Sequence, residues 1–478
     1  MSDPTNPHIK ERTTPQWALY QRENFWKQNE GTTPLFNTGK YYASSNAGMS
    51  NTHLANRQAF YRHRLIPNQL IDTNNRSTKT TIFNHSVSAP IGFAPIGINK
   101  IYSPAGEAAV SKVASELNLP YCLSTAGSTS IEKVASANGT GTRFFQLYMP
   151  HDDEVTVSLL TRAWENGFDA LILTTDTWQL GWRHDDVASS NYAFYRGFGA
   201  DVGLSDPVFR RRCVADGIDP DVDVVAASTK WIDSVWHGRA WSWEKIPWLM
   251  ETWRGISGGR PFVIKGVQSV GDARRCVELG VEGIVVSNHA GRQVDGAVAS
   301  LDALERIAEA VGDKIYVMFD SGVRGASDVV KALALGARFV FIGRLWIWGL
   351  SIQGEDGVRH VMKSLLADLD ILMGVAGFNG VEDFNRDILG QSCLLCVVEG
   401  WMLILRYRVG SEELYAHATE DFVNGRHSGL YNEENVINTP HVFRGTRQVA
   451  MEPRLCQRTS TRKPGLIWVW TYMDLNNL

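Results

Sequence analysis

Residues 261–286 read PFVIKGVQSVGDARRCVELGVEGIVV. An apolar run of strand length, PFVIKG, gives way to a polar turn and an amphipathic helix that ends at Glu-Leu-Gly280, and a second strand-like run, GIVV, follows. Gly280 stands where a left-handed residue lets the chain leave a helix. The same unit recurs on both sides. Strand-like runs begin at Pro90 (PIGFAP), Pro120 (PYCLST), Arg143 (RFFQLY), Ala170 (ALILTTD), Pro261, Gly283, Ile315 (IYVMFDSG) and Arg338 (RFVFIG), and other helices end at Gly167 and Gly336. The runs are apolar throughout rather than alternating, the mark of parallel strands buried on both faces. Eight strand–helix units with short connections predict a (β/α)8 TIM barrel. An open doubly wound sheet is disfavoured because no GxGxxG follows any of the strands.

Around this barrel, placed at residues 81–390, the chain has three additions. Residues 1–80 form an N-terminal extension, with a helix predicted from about Thr52 to His63, that contributes to the active site. Residues 177–260 are a long insertion after strand four, far beyond what one connection needs. It carries eight of the sixteen tryptophans, at 178, 182, 231, 236, 241, 243, 248 and 253, and is therefore expected to fold, as a lid, an oligomer contact or packing. Residues 391–478 form a divergent tail to which no role is assigned.

Lys plus Arg number 47 against 51 Asp plus Glu, a net charge of −4 that gives no reason to expect nucleic acid or a membrane as partner. The N-terminus has no apolar leader, no run is long enough to span a bilayer, and the six cysteines form no metal site, so a cytoplasmic protein is expected. In such barrels the reactive side chains sit where strands end. Strand six ends Ser287-Asn288-His289-Ala290-Gly291-Arg292, a proton acceptor three residues before a permanent cation. Asp176, ending strand four, either orients that imidazole or caps the next segment. Lys265, ending strand five, needs an anionic or carbonyl partner to be buried: a cofactor phosphate, a reduced flavin or a Schiff base would each suffice. Strands seven and eight end in Asp320-Ser321-Gly322-Val323-Arg324 and Gly343-Arg344, small residues and cations suited to phosphate.

Taken together, PIGFAPIG, STAGSTSIEKVA, RFFQLY, LTTDTWQLGWR, IKGV, VSNHAGRQVD, DSGVRGASDVVKALALGA and FIGR resemble the FMN-dependent 2-hydroxy acid oxidase and dehydrogenase family, from about Tyr41 to Asn385. Within it, the pattern is most similar to the lactate 2-monooxygenase members. The resemblance implies an FMN enzyme that oxidises a small L-2-hydroxy acid to the 2-keto acid. Oxygen or another electron acceptor would take the electrons, with oxidative decarboxylation in the monooxygenase members, and a homo-oligomer, usually a tetramer, is implied. It makes His289 the base, Asp176 its partner and Lys265 the stabiliser of reduced flavin. Arg292, Arg183, Tyr41 and Tyr148 would hold the substrate. Pro95, Ile96, Gly97, Ser124, Gln146, Thr174 and Ser287 would surround the ring, with Gly97 leaving space above it. Asp320, Gly322, Arg324, Gly343 and Arg344 would take the ribityl and phosphate groups. The alternative readings are a dehydrogenase of a specialised pathway, or a phosphate-binding isomerase or aldolase using Lys265.

Overall fold

A computed structural model describes residues 42–188, 193, 197–236 and 240–391, together with five strands between residues 403 and 472. The eight expected strands are all present: β1 (Ile91–Phe93), β2 (Tyr121–Ser124), β3 (Arg143–Leu147), β4 (Leu171–Thr174), β5 (Phe262–Val267), β6 (Gly283–Val286), β7 (Tyr316–Phe319) and β8 (Phe339–Ile342). They pair in parallel and in chain order, and β8 closes onto β1 through Val340↔Ile91 and Ile342↔Phe93, so the sheet is a closed barrel.

The strands alternate between two buried environments, which is why their sequences lack a polar face. Phe93, Leu123, Phe145, Leu173, Ile264, Ile284 and Phe319 point outward into the core shared with the surrounding helices. Cys122, Phe144, Ile172, Val263, Val285, Met318 and Phe339 fill the barrel interior. The same period of two carries the inward row onward, one layer higher, to Ser124, Gln146, Thr174, Lys265, Ser287 and Asp320. A polar floor under the C-terminal mouth thus follows from strand periodicity.

At the opposite end a hairpin, Thr80–Ile82 paired with His85–Val87, plugs the barrel. Ile82 and Val87 are buried, and Phe83 packs edge-on against Phe144 at 5.9 Å. The N-terminal helix spans Asn51–Tyr61, and the strand after it, His63–Leu65, pairs with Leu389–Gln391. The insertion contains helices at His184–Ala188, Asp201–Leu204, Pro207–Ala215, Val224–Val235 and Ile246–Ser257. Trp231 and Trp253 are fully buried, whereas Trp182 is exposed. Contacts divide the chain into units 1–392 and 393–478. The second unit holds antiparallel strands, Leu403–Val409 with Glu412–Ala418 and Leu430–Asn432, and Met451–Cys456 with Ile467–Tyr472.

Candidate active site

The turn after β6 is built from left-handed residues: φ is +54° at His289, +57° at Ala290 and +77° at Gly291. Two of these carry side chains, so the surroundings must hold the conformation. Ser287 Oγ accepts from His289 N at 3.0 Å, Ser321 Oγ accepts from Ala290 N at 2.9 Å, and the Asn288 side chain accepts from Gly291 N at 3.1 Å. Gly291 has a second reason to be glycine, since a Cβ there would lie 2.6 Å from the backbone N of His53 in the N-terminal helix.

The turn aims the His289 imidazole into a cavity of about 120 Å³, open to solvent, at the C-terminal mouth of the barrel. Its Nδ1 is 2.8 Å from Asp176 Oδ1 and 3.1 Å from Thr177 Oγ1. A carboxylate there fixes the proton on Nδ1 and leaves Nε2 as a lone-pair base. Burial pushes the imidazole pKa below its ordinary 6.5; Asp176 opposes the fall, and Lys265 and Arg183 reinforce it. His289 is therefore neutral near pH 7. Asp176 is buried, which alone would raise its pKa, yet the Lys265 charge and the hydrogen bonds from His289 and Thr177 hold it well below the usual carboxylate range. Gly266, with φ +104° at an irregularity of β5, makes room for this carboxylate: a Cβ there would stand 2.9 Å from that of Asp176.

Lys265 is buried, donates to Ser287 Oγ at 3.1 Å, and lies 3.6 Å from Asp320 and 3.8 Å from Asp176. Burial would lower its pKa, but the two carboxylates raise it above the ordinary value. A lysine held as ammonium is a fixed positive charge rather than a nucleophile, since Schiff-base chemistry requires the free amine. This counts against the aldolase reading. Beside it, Gln146 Nε2 donates to Thr174 Oγ1 at 2.9 Å, and its Oε1 accepts from Ser124 Oγ at 3.1 Å. Ser124, Pro95, Ile96, Gly97, Lys265, Asp320, Gly322, Arg324, Gly343 and Arg344 all line the cavity, whereas Gln146, Thr174 and Ser287 support those walls from behind.

The residues expected to bind substrate are placed in different ways. Arg292 and Tyr148 line the cavity. Arg292 Nη1 donates to the carbonyls of Tyr42 at 2.8 Å and Ser45 at 2.5 Å, and among the described residues its Nη2 has no protein partner. Tyr41 lies outside the described residues; its neighbour Tyr42 lines the cavity, its ring centroid 4.9 Å from the Arg292 guanidinium. Arg183 does not line the cavity. It is buried behind Arg292, donating to the Arg292 carbonyl at 3.0 Å and to Gln293 Oε1 at 3.0 Å, with Asp186 at 3.5 Å. It therefore buttresses the anchor. Arg344 lines the cavity and holds the N-terminal segment as well. Its Nε donates to Ala43 O at 2.8 Å, Nη1 contacts His53 Nδ1 at 3.0 Å, and Nη2 donates to Asn46 Oδ1 at 2.6 Å. Its guanidinium chiefly clamps the N-terminal segment. At Gly97 a Cβ would lie 2.7 Å from Ala126 O, so glycine permits a close backbone approach. Trp236 from the insertion, Tyr102 and Ala126 complete the wall. Adjacent tyrosines and a tryptophan on a long insertion gave no pattern that would have selected them.

The site fits FMN on its own charges. Burial and the proximity of Arg292, Arg324 and Arg183 drive the Arg344 pKa well below its usual value, a sign of positive charge in excess of local carboxylates. Anions are the complement, and the phosphate end is marked by the Gly322–Arg324 turn and the N-terminus of the long helix Arg344–Ala376. A flat ring would be held against Pro95–Gly97, with Lys265 supplying positive charge at its edge.

The profile of the family described as FMN-dependent dehydrogenase matches residues 35–391. The chain is 47% identical over 348 residues to the FMN-dependent alpha-hydroxy acid dehydrogenase qulF of Penicillium citrinum, covering 73% of this chain and 85% of that one. It is 37% identical to an L-lactate oxidase of Lysinibacillus sphaericus, covering 71% and 85%. Among solved structures, mandelate oxidase bound to (S)-2-phenylpropionate is similar at TM-score 0.63 and 30% identity, over 77% of this chain and 97% of that one.

Proposed function

Because the chain belongs to the FMN-dependent dehydrogenase family and oxidises 2-hydroxy acids with FMN, we propose that its substrate is a small L-2-hydroxy acid, converted to the 2-keto acid with oxygen as acceptor. One observation carries this reading: the neutral imidazole of His289, locked at Nδ1 by Asp176, opens onto the same cavity as the Arg292 guanidinium and the Lys265 ammonium. The substrate carboxylate pairs with Arg292, backed by Arg183, and the C2 alcohol is brought to His289. FMN, when bound, supplies the two-electron acceptor. His289 Nε2 takes the proton that leaves the substrate, and Asp176 stabilises the resulting imidazolium. Lys265 would hold the edge of FMN with a fixed positive charge, suited to a group that gains electrons. Tyr148, its hydroxyl pKa raised by burial and by Asp176, stays protonated and donates to the substrate.

Oxygen as acceptor is supported by relatives described as L-lactate oxidase and glycolate oxidase. We place the protein in the cytoplasm and expect a homo-oligomer. The test is anaerobic mixing of the purified yellow protein with a panel of L-2-hydroxy acids, followed by aerobic assay for peroxide and for CO2. Bleaching by at least one member with peroxide release supports an oxidase. CO2 in place of peroxide supports oxidative decarboxylation, and bleaching that air fails to reverse supports a dehydrogenase with another acceptor. No bleaching by any member refutes the proposal.

A further inference from the structure

Gln293 follows Arg292 directly, and its amide is fully engaged. Oε1 accepts from Gly181 N at 3.1 Å and from Arg183 Nη2 at 3.0 Å, while Nε2 donates to the carbonyls of Asp176 and Gln179, each at 2.9 Å. All four partners lie in the segment 176–183, which begins with the carboxylate that holds His289 and ends with the guanidinium behind Arg292. The two segments meet backbone to backbone, since a Cβ on Gly181 would stand 2.6 Å from Gln293 O. A primary amide has two N–H donors and a carbonyl with two lone pairs, and here all four are used.

We propose that Gln293 is a positioning residue for the reaction: it fixes the 176–183 segment against the His289–Arg292 turn, and so sets both the carboxylate behind the base and the cation behind the anchor. The inference rests on His289 and Arg292 serving as base and anchor. Asp176 and Thr177 face the imidazole from the β4 end, Lys265 from the β5 end and Arg183 from the insertion, with Tyr148 and Arg292 on the cavity walls. Of these, Asp176 favours the protonated imidazole, and Lys265 and Arg183 oppose it. When Asp176 recedes, the proton affinity of His289 must fall.

The test uses FMN-bound protein carrying Gln293→Met, which keeps the side-chain volume and loses all four bonds, and Gln293→Asn, which keeps an amide too short to reach both sides. The His289 titration is followed by NMR of histidine-labelled protein, assigned with His289→Gln, alongside anaerobic flavin reduction. Gln293→Met is expected to lower the His289 pKa by about half a unit or more and to slow reduction by about 10–100-fold at equal FMN content; Gln293→Asn is expected to move both in the same direction. An unchanged titration and reduction rate in both variants, with only the melting temperature lowered, would overturn the proposal, because loop closure alone moves stability and not proton affinity. The titration needs no substrate. A failure of every hydroxy acid to bleach the unsubstituted enzyme therefore refutes the base and anchor roles instead, and is read separately.

Discussion

Asp176→Asn keeps a side-chain oxygen in place of the acceptor that stands 2.8 Å from His289 Nδ1, but removes its charge. Two unit charges at that separation interact by about 6 kcal/mol at an effective dielectric of about 20. The transition state carries only part of the imidazolium charge. Taking about half leaves about 3 kcal/mol, or about 10²-fold in rate, at the lower end of the range for general-base catalysis. Lys265, 3.8 Å from Asp176, keeps its second carboxylate at Asp320, so the ammonium is not orphaned. Stopped-flow anaerobic reduction at saturating substrate should therefore slow by about 100-fold, with substrate affinity and FMN content near those of the parent. The acid limb of the rate profile should move to lower pH, because Asp176 is the group that raises the His289 pKa. A loss below tenfold in protein with full FMN, or a loss confined to substrate affinity, would refute the assigned role of the pair.

Lys265→Met leaves Asp176 and Asp320 facing each other without a cation in a buried site, and should cost about 3–5 kcal/mol of stability in urea denaturation together with much of the bound FMN absorbance. Gly291→Ala places a Cβ 2.6 Å from His53 N at φ +77°, so a loss of about 1–3 kcal/mol or more is expected and is read as a lower melting temperature. His53 has its pKa lowered from 6.5 to about 4, by burial first and then by Arg344, Arg324 and Arg57. The unfolded chain thus binds this proton first, so the contribution of His53 to stability is intact above about pH 6.5 and declines as pH falls from there toward 4. Denaturation at pH 7 and pH 5 should show a smaller difference for His53→Asn than for the parent.

The barrel was legible because eight runs such as FVIKG and GIVV are buried on both faces, and parallel strands closed into a barrel meet that demand most simply. Its polar floor was legible for the same reason: Lys265, Ser287 and Asp320 continue the inward row of Val263, Val285 and Met318 by two residues. What sequence could not settle was the use made of the arginines. Arg183 and Arg344 stand at motif positions, but their hydrogen-bond partners, Arg292, Gln293, Ala43, Asn46 and His53, come from remote parts of the chain. No local pattern distinguishes a guanidinium that meets a ligand from one that meets a carbonyl. Tyr42 is placed at the cavity through its carbonyl, which accepts from Arg292 Nη1, another contact between remote parts of the chain.

The clamp between Arg344 and Ala43 joins residues 301 positions apart. During synthesis, therefore, the front wall of the reaction chamber can meet Arg292 first, but its fastening to Arg344 waits until the last barrel strand has left the ribosome. A nascent polypeptide that ended before Phe339 would lack both the strand that shuts the barrel and this fastening, which makes completion of the chamber a late event in biogenesis.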